Sequence, residues 1–321
     1  MSMPNAGSAT QGGASEISRI RLGSCPDSWG VWFADDSAQV PWEQFLDELV
    51  EANYGWLELG PYGYLPTDPA RLRDEVERRG LRVSAGCVEG ALHLDDAYEH
   101  DREQARKVAS LLQAIGGRYL VYLPKMYRDM TGALVDSPDL APEDWKRLVT
   151  RVSEIGRIVN DEFGVSLVFH PHADSHVASQ DEVERFLDET DPSTVSLCLD
   201  TGHIAYCGGD NLELIRQFPD RIGYVHLKQV DSKIMEKVRR ERLSFPEAVR
   251  LGATCEPPKG IPEMNPLIDA LEALGVDLFA IVEQDMYPCD PKAPLPIATR
   301  TRAFYGGCGL GSGGRDAHEP R

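Results

Sequence analysis

The chain reads RYLVYLP at 118–124, then APEDWKRLVTRVSEIGRIVNDEFG at 141–164, then SLVFH at 166–170. The first and third stretches are short and largely apolar, as expected of strands that helices cover on both faces. The middle stretch has helical spacing of its apolar residues, a proline in its first turn and a glycine at its end. Together they predict a strand–helix–strand unit with parallel strands.

The same alternation fills most of the chain. The other six strand-like runs, each followed by a helix-like run, lie at 20–25, 56–60, 82–88, 195–200, 222–228 and 278–284. Eight such units within residues 18–305 predict an α/β fold, a single-domain (β/α)8 TIM barrel. A doubly wound sheet is the competing fold, but it usually carries a glycine-rich loop after its first strand, and PDSWGVW (26–32) is not such a loop. We expect residues 1–17 and 306–321 to be disordered tails, since both are small, polar and rich in glycine.

Composition and net charge restrict the partners and the cellular location that we expect. The 321 residues carry a net charge of −19, which repels phosphate backbones and anionic membranes, so we expect neither nucleic acid nor a membrane as partner. Seven cysteines are scattered without a C-x-x-C motif, which favours reduced thiols. The first residues have no basic, apolar signal-peptide pattern, so a cytoplasmic location is the expectation.

Polar side chains gather where the predicted strands end. In a barrel these carboxyl ends form the active site. Imidazole and carboxylate groups occupy four successive ends, strands five to eight, and together they suit a divalent Mn, Co, Fe or Zn ion. The predicted metal ligands are His170, Asp200, His226 and Glu283.

Other readings of these residues stay open. Asp200 could instead cap a helix that begins at TGHIAY (201–206), and Glu283 could pair with a nearby cation. His203 suits a supporting role beside a ligand. His176 falls in the loop after strand five, where we expect it to be exposed to solvent. Substrate contacts are expected from the remaining polar and aromatic residues at the strand ends: Trp29, Trp32, Glu58, Glu89, Tyr122 and Lys125.

Several motifs resemble a known family. LDTGH (199–203), IGYVHLKQVD (222–231) and IVEQDMYP (281–288) are similar to the xylose-isomerase-like TIM barrels, the sugar phosphate isomerase/epimerase group. Within that group the chain most resembles the inosose dehydratases, and the resemblance covers about residues 20–305. The segments that carry this second likeness are GSCPDSWGVWF (23–33), ELGPYGYLPTDPARL (58–72), FHPHADSHV (169–177) and CEPPKGIPEM (255–264).

The resemblance implies a divalent metal, Mn or Co foremost with Zn, Fe or Mg as alternatives, and a polyol or keto-sugar substrate. For the inosose dehydratases this is 2-keto-myo-inositol, which loses water during inositol breakdown. Barrels of this group often pair, so a homo-oligomer is possible. Many members carry Glu where His170 stands, which leaves open whether His170 or His172 binds the metal. It also counts against the two-carboxylate mechanism of an epimerase, although an isomerase or epimerase remains the alternative function.

Dehydration of a β-hydroxy ketone needs a polarised carbonyl, a base for the α-proton and an acid for the departing hydroxyl. A metal ion polarises the carbonyl and stabilises the enediolate. We expect Glu283 or Lys228 to be the base. A protonated imidazole, on His172 or His203, is the expected acid because histidine titrates near neutrality.

Overall fold

Eight parallel strands close into a barrel in the computed structural model, which describes residues 18–311. Around the barrel the strand order is β1-β10-β7-β6-β5-β4-β3-β2, and two further strands pair with each other outside it. This confirms the predicted (β/α)8 TIM barrel. The strands are β1 Ile20–Ser24, β2 Trp56–Glu58, β3 Arg82–Gly90, β4 Tyr119–Pro124, β5 Ser166–Phe169, β6 Val195–Asp200, β7 Ile222–Leu227, β8 Gln229–Val230, β9 Thr254–Cys255 and β10 Leu278–Val282.

Helices surround the barrel and begin and end at residues that the sequence marks. The helix after β4 has Pro142 in its first turn and ends at Gly164, whose φ of 66° suits glycine. The helix after β5 begins with a capping box between Ser179 and Glu182. The helices are α1 Trp42–Glu51, α2 Pro69–Glu77, α3 Tyr98–Ile115, α4 Pro142–Phe163, α5 Gln180–Glu189, α6 Thr201–Tyr206, α7 Asn211–Gln217, α8 Ser232–Glu241, α9 Phe245–Arg250, α10 Met264–Glu272 and α11 Pro294–Gly307.

The connection after β7 is more elaborate than the sequence prediction. Strands β8 and β9 form a small antiparallel sheet there, and α8 and α9 lie between them. The sequence predicts only the helix that follows, α10. The missed helix α9 has six residues, too few to show helical periodicity, but Ser244 and Glu247 form a capping box at its start. This insertion carries Phe245, which lines the cavity described below.

The C-terminal boundary also differs from the prediction. The last helix continues through Gly307, two residues past the expected limit at 305. Leu310 is buried in the main hydrophobic core, which explains why the chain stays packed beyond the helix. Of the two predicted tails, residues 1–17 and 312–321 lie outside the described residues. Within residues 18–311, no helix is long and apolar enough to cross a membrane.

The alternation of side chains along each strand places the predicted metal ligands inside the barrel. Side chains alternate between the two faces of a strand, so a residue two positions after an inward-facing one also faces inward. A cluster of buried, mainly apolar residues fills the barrel interior: Cys25, Ala85, Val121, Val168, Cys198, Tyr224, Phe279 and Ile281. Two positions after Val168, Cys198, Tyr224 and Ile281 come His170, Asp200, His226 and Glu283, respectively. The four polar residues therefore form the next layer, at the carboxyl ends of the strands.

Candidate metal centre and active site

The four predicted metal ligands meet in one buried cluster. His170 Nε2 lies 3.2 Å from Asp200 Oδ2, and His226 Nδ1 lies 3.7 Å from the same oxygen. His226 Nδ1 also contacts Glu283 Oε2. One ligand atom from each residue falls within 4.8 Å of the other three. All four side chains are buried, so any ion held here is shielded from bulk water.

The donor set fits a divalent metal ion. His226 Nδ1 and Glu283 Oε2 are buried and face each other, yet neither has a hydrogen-bond partner among the described residues. A cation between them would satisfy both atoms, which otherwise cost free energy when buried. Cys198 lies close enough to His170 and His226 to be an alternative ligand. Burial raises the pKa of the Cys198 thiol to about 11, so it stays protonated and the carboxylates are the better ligands.

Glu58 orients His226 from the side opposite the cluster. Its Oε2 lies 3.0 Å from His226 Nε2 and accepts a hydrogen bond from the ring. With the proton fixed on Nε2, His226 presents the lone pair of Nδ1 to Asp200 and Glu283. A carboxylate that holds the outer nitrogen of a histidine is the usual support of a metal-binding imidazole. Glu58, expected from sequence to touch substrate, therefore lines the cavity and also positions a ligand.

Asp200 combines the two roles that its sequence position left open. Its Oδ1 accepts a hydrogen bond of 2.7 Å from the backbone N–H of His203 and so caps α6. Its Oδ2 faces His170 and Lys228. Burial by itself raises the pKa of Asp200, but Lys228 and His170 outweigh it and hold the pKa below its usual range. One oxygen of the ionised Asp200 carboxylate therefore caps α6, and the other is a candidate metal ligand.

Lys228 is the cation at the centre of the acidic cluster. Its Nζ lies 3.2 Å from Asp200, 3.0 Å from Glu283 and 2.8 Å from Asp285. Burial by itself lowers the pKa of Lys228, but these carboxylates outweigh it and raise the pKa above its usual value. Lys228 therefore keeps its proton at neutral pH. This counts against Lys228 as the base, one of the two alternatives from sequence.

Two histidines predicted as acids are neutral instead. Burial, with His170 and Lys228 nearby, lowers the pKa of His172 to about 3. Burial and Lys228 also lower the pKa of His203. The His203 ring has a donor at each nitrogen, the Ala173 N–H at 3.2 Å and Lys228 Nζ at 3.1 Å, so an imidazolium there is disfavoured. The expectation of a protonated imidazole is corrected at both positions, because burial and the nearby Lys228 disfavour the charged rings.

A cavity of about 340 Å³ opens above the candidate ligands. His172, His226 and Glu283 lie on its polar side, with Glu58 and Glu89 nearby. Aromatic rings form the opposing wall. Trp32 stacks against Phe245 with ring centroids 6.2 Å apart and against Tyr287 at 5.5 Å. A flat apolar wall facing hydroxyl-binding groups suits a polyhydroxylated ring.

Three residues expected to touch substrate do not line this cavity. Trp29 points into the core, where it packs edge-on against Phe45 and donates from Nε1 to Glu48 at 2.8 Å. Tyr122 is also fully buried, and its hydroxyl donates to Asp101 at 3.3 Å. Lys125 lies beyond the end of β4 and its side chain is exposed. Tyr122 lies in β4, where alternation turns its side chain away from the barrel interior and into the core. Trp29 instead ends a short 3-10 helix, Pro26–Trp29, that carries its ring into the core.

Two acidic residues in the cavity wall were absent from the predicted site. Asp27 follows β1, and Asp285 follows β10 and pairs with Lys228. Burial, together with Glu283 and Asp285, raises the pKa of Asp27 well above its ordinary value, so this carboxyl binds a proton more readily than an ordinary aspartate. The signal was present in the sequence, since Asp27 stands between Pro26 and Trp29 directly after the first strand.

The prediction that His176 is exposed to solvent is wrong. It is buried, and its ring packs edge-on against His93 with centroids 4.5 Å apart. Its Nε2 donates to the backbone carbonyl of Ser137 at 2.7 Å. The loop after β5 folds back onto the loop after β4, which removes His176 from solvent.

Known proteins resemble the chain in both sequence and fold. An inosose dehydratase of Geobacillus kaustophilus (strain HTA426) is 31% identical over 287 residues, which cover 85% of this chain and 89% of the relative. A structure of L-ribulose 3-epimerase has a TM-score of 0.67 at 19% identity, covering 94% of this chain and 100% of its own. A structure of the IOLI protein with a zinc atom has a TM-score of 0.66 at 15% identity, covering 89% of this chain and 97% of its own.

The family model described as xylose isomerase-like TIM barrel matches residues 46–302. This span covers most of the barrel and includes all four residues of the candidate metal centre. The sequence resemblance and the closed eight-stranded barrel lead to the same assignment. The chain belongs to the xylose isomerase-like TIM barrel family, in which the inosose dehydratases are its relatives.

Proposed function

We propose that the chain is a metal-dependent dehydratase of a cyclic polyhydroxy ketone, 2-keto-myo-inositol, in inositol breakdown. One observation carries the proposal. Two imidazoles and two carboxylates converge on a single point beside a cavity of about 340 Å³ with an aromatic wall. The relationship to the inosose dehydratases supports this substrate.

His170, Asp200, His226 and Glu283 would hold the ion. We infer Mn or Co, because mixed nitrogen and oxygen donors suit these ions. The zinc atom in the structure of the similarly folded IOLI protein supports a divalent ion as cofactor. When bound, the ion supplies a Lewis acid that polarises the ketone oxygen.

Glu283 is the proposed base for the α-proton. Burial by itself raises its pKa, but Lys228 and His226 outweigh burial and lower it, so Glu283 is ionised. Lys228 Nζ engages Glu283 Oε1 at 3.0 Å, which leaves Oε2 as the oxygen nearer the cluster. Lys228 thus orients the carboxylate while keeping its own proton. Among the two bases expected from sequence, Glu283 is the one we retain.

Asp27 is the proposed acid. Its carboxyl has a raised pKa, lines the cavity, and has an oxygen within 4.8 Å of a Glu283 oxygen. As the α-proton passes to Glu283, the β-carbon–oxygen bond breaks and the leaving hydroxyl takes the Asp27 proton, departing as water. His172 donates from Nδ1 to the Ala173 carbonyl, so its Nε2 is free to accept a hydrogen bond from a substrate hydroxyl.

Proton NMR in D2O tests the proposal directly. Protein loaded with Mn or Co, given 2-keto-myo-inositol, should form the dehydrated diketone, and chelation should stop the reaction. The variant Glu283→Gln should lower kcat by about 10²–10⁴-fold, the usual contribution of a positioned base. The matched control is Glu213→Gln, on the exposed surface of α7, which should retain normal activity. Normal turnover by Glu283→Gln would refute the assigned base.

The same experiment separates the alternative, an isomerase or epimerase of an inosose or keto-sugar. The fold of L-ribulose 3-epimerase is the observation in its favour. Deuterium uptake or a new inosose without loss of water would support it. An epimerase with two opposed carboxylate bases is less compatible with this chain, because imidazole occupies the strand-five position and contacts Asp200.

A further inference from the structure

A second cluster of metal-binding side chains lies outside the site described above. It contains His93 from the loop after β3, Asp136 from the loop after β4 and His176 from the loop after β5. One ligand atom from each residue falls within 4.8 Å of the other two. None of the three lines the substrate cavity or belongs to the first cluster. We propose that this is a second metal site, which takes a divalent transition ion, zinc foremost, and joins three active-site loops.

The residue types match that ion. Two imidazoles and one carboxylate are common ligands of Zn²⁺, with water as a fourth ligand. His93 and His176 are buried, and the Asp136 side chain is 30% exposed, which leaves an opening for water and for entry of the ion. Hard ions such as Mg²⁺ and Ca²⁺ prefer sites built entirely from oxygen donors, so they fit less well.

Ser137 fixes two of the three ligands. Its carbonyl accepts the Nε2 proton of His176 at 2.7 Å, which leaves Nδ1 of that ring with a lone pair for a metal. Its backbone N–H donates to Asp136 Oδ1 at 2.7 Å and so leaves Oδ2 for the cluster. Outer hydrogen bonds of this kind usually set the tautomer and the orientation of metal ligands.

The remaining ligand is also held in place. Arg147 Nε donates to the backbone carbonyl of His93 at 3.0 Å and anchors the loop after β3. His93 Nε2 and Asp136 Oδ2 are 2.6 Å apart, so they share a proton in the structure as it stands. Donors of a tetrahedral zinc ion stand about 3.3 Å apart, given bond lengths of about 2.0–2.1 Å. For the ion to replace that proton, the two atoms would therefore have to move apart by less than about 1 Å.

The position of the cluster determines how a bound ion would act on the loops around the substrate cavity. The loop after β4 carries Met126 and Met130, which line the substrate cavity, and the strand-five loop carries His172. An ion held by His93, Asp136 and His176 would join these loops to each other. We therefore expect it to stiffen one wall of the cavity, without contact with the substrate.

Metal counting tests the proposal without relying on turnover. Untagged full-length protein is stripped with a chelator, dialysed against Zn²⁺, and assayed for bound metal per chain. Wild type should bind two equivalents. His93→Gln and His176→Gln should each bind one, and Asp136→Asn, at the partly exposed ligand, is the variant least prone to misfold and should also bind one. Asp200→Asn, which removes a ligand of the first site, should bind one, and its combination with Asp136→Asn should bind none.

Substitution with Co²⁺ identifies the ligands of the second equivalent. Nitrogen and oxygen ligation gives visible d–d bands at both sites, so the bands of the second site are those that Asp200→Asn retains and Asp136→Asn loses. A strong thiolate-to-cobalt charge-transfer band would place the ion on cysteine and overturn the proposal. So would a single equivalent in wild type that Asp200→Asn abolishes, or two equivalents in Asp136→Asn with circular dichroism like that of wild type. These outcomes do not depend on whether the chain dehydrates an inosose.

Discussion

Lys228 compensates three buried carboxylates, and its removal gives a sharp test of the electrostatics of the site. The variant Lys228→Met keeps most of the side-chain volume and deletes only the ammonium group. In metal-free protein this leaves Asp200, Glu283 and Asp285 without the cation that lies within 3.2 Å of each. We expect one of the three to take up a proton in its place.

The loss of unfolding free energy can be estimated from the cost of binding that proton. A carboxyl with an ordinary pKa of about 4 that is forced to be protonated at pH 7 costs about 4 kcal/mol, since each pH unit is worth about 1.4 kcal/mol. This agrees with the loss of about 3–5 kcal/mol typical when one partner of a buried ion pair is removed. At pH 5 the same proton costs only about 1.4 kcal/mol, so the difference between variant and wild type should shrink as the pH falls.

Urea unfolding at pH 7 and pH 5, with a chelator present, measures the difference. Fluorescence and circular dichroism should give coincident transitions, which is the condition for a defined free energy of unfolding. The control is Lys125→Met, at an exposed lysine, where a change below about 0.5 kcal/mol is expected. Saturation with Mn²⁺ should recover more stability in Lys228→Met than in wild type, because the ion replaces the missing charge. A loss below about 1 kcal/mol at pH 7 would refute this account of Lys228.

Two further predictions concern the aromatic wall and the neutral histidines. Trp29→Phe should cost about 1–2 kcal/mol of unfolding free energy, because the hydrogen bond to Glu48 is lost, and should leave KM unchanged. Trp32→Ala should raise KM about tenfold at near-normal stability. Equal KM values for the two variants would contradict the placement of Trp32 in the cavity wall and of Trp29 in the core. His172 has a pKa of about 3 against an ordinary 6.5, so the unfolded chain binds the extra proton and the metal-free protein should lose up to about 2 kcal/mol between pH 6.5 and pH 5. Urea titrations of His172→Gln should show a shallower loss over that range, and a loss equal to that of wild type would exclude His172 as its source.

The barrel and the first cluster could be predicted from sequence because local patterns determine them. Short apolar runs alternate with amphipathic ones, and the four ligand candidates stand at the ends of successive runs. Alternation along each strand then decides which side chains enter the barrel. The same rule applied strictly would have excluded Tyr122, which faces the core. It does not reach Trp29 and Asp27, because both lie in a short 3-10 helix after β1. Helix α9, which carries Phe245, was missed because six residues are too few to show helical periodicity.

The protonation states could not be predicted, because they depend on partners that are distant in sequence. His170, His172 and His176 look equivalent in the segment FHPHADSHV. His170 contacts Asp200, 30 positions away, and becomes a candidate ligand. His176 bonds to the carbonyl of Ser137, 39 positions before it, and joins a second cluster. His172, between them, is buried, and burial with His170 and Lys228 nearby disfavours its charged form. One short segment therefore supplies three chemically different imidazoles, and the difference comes from the loops and strands that the barrel brings against each ring.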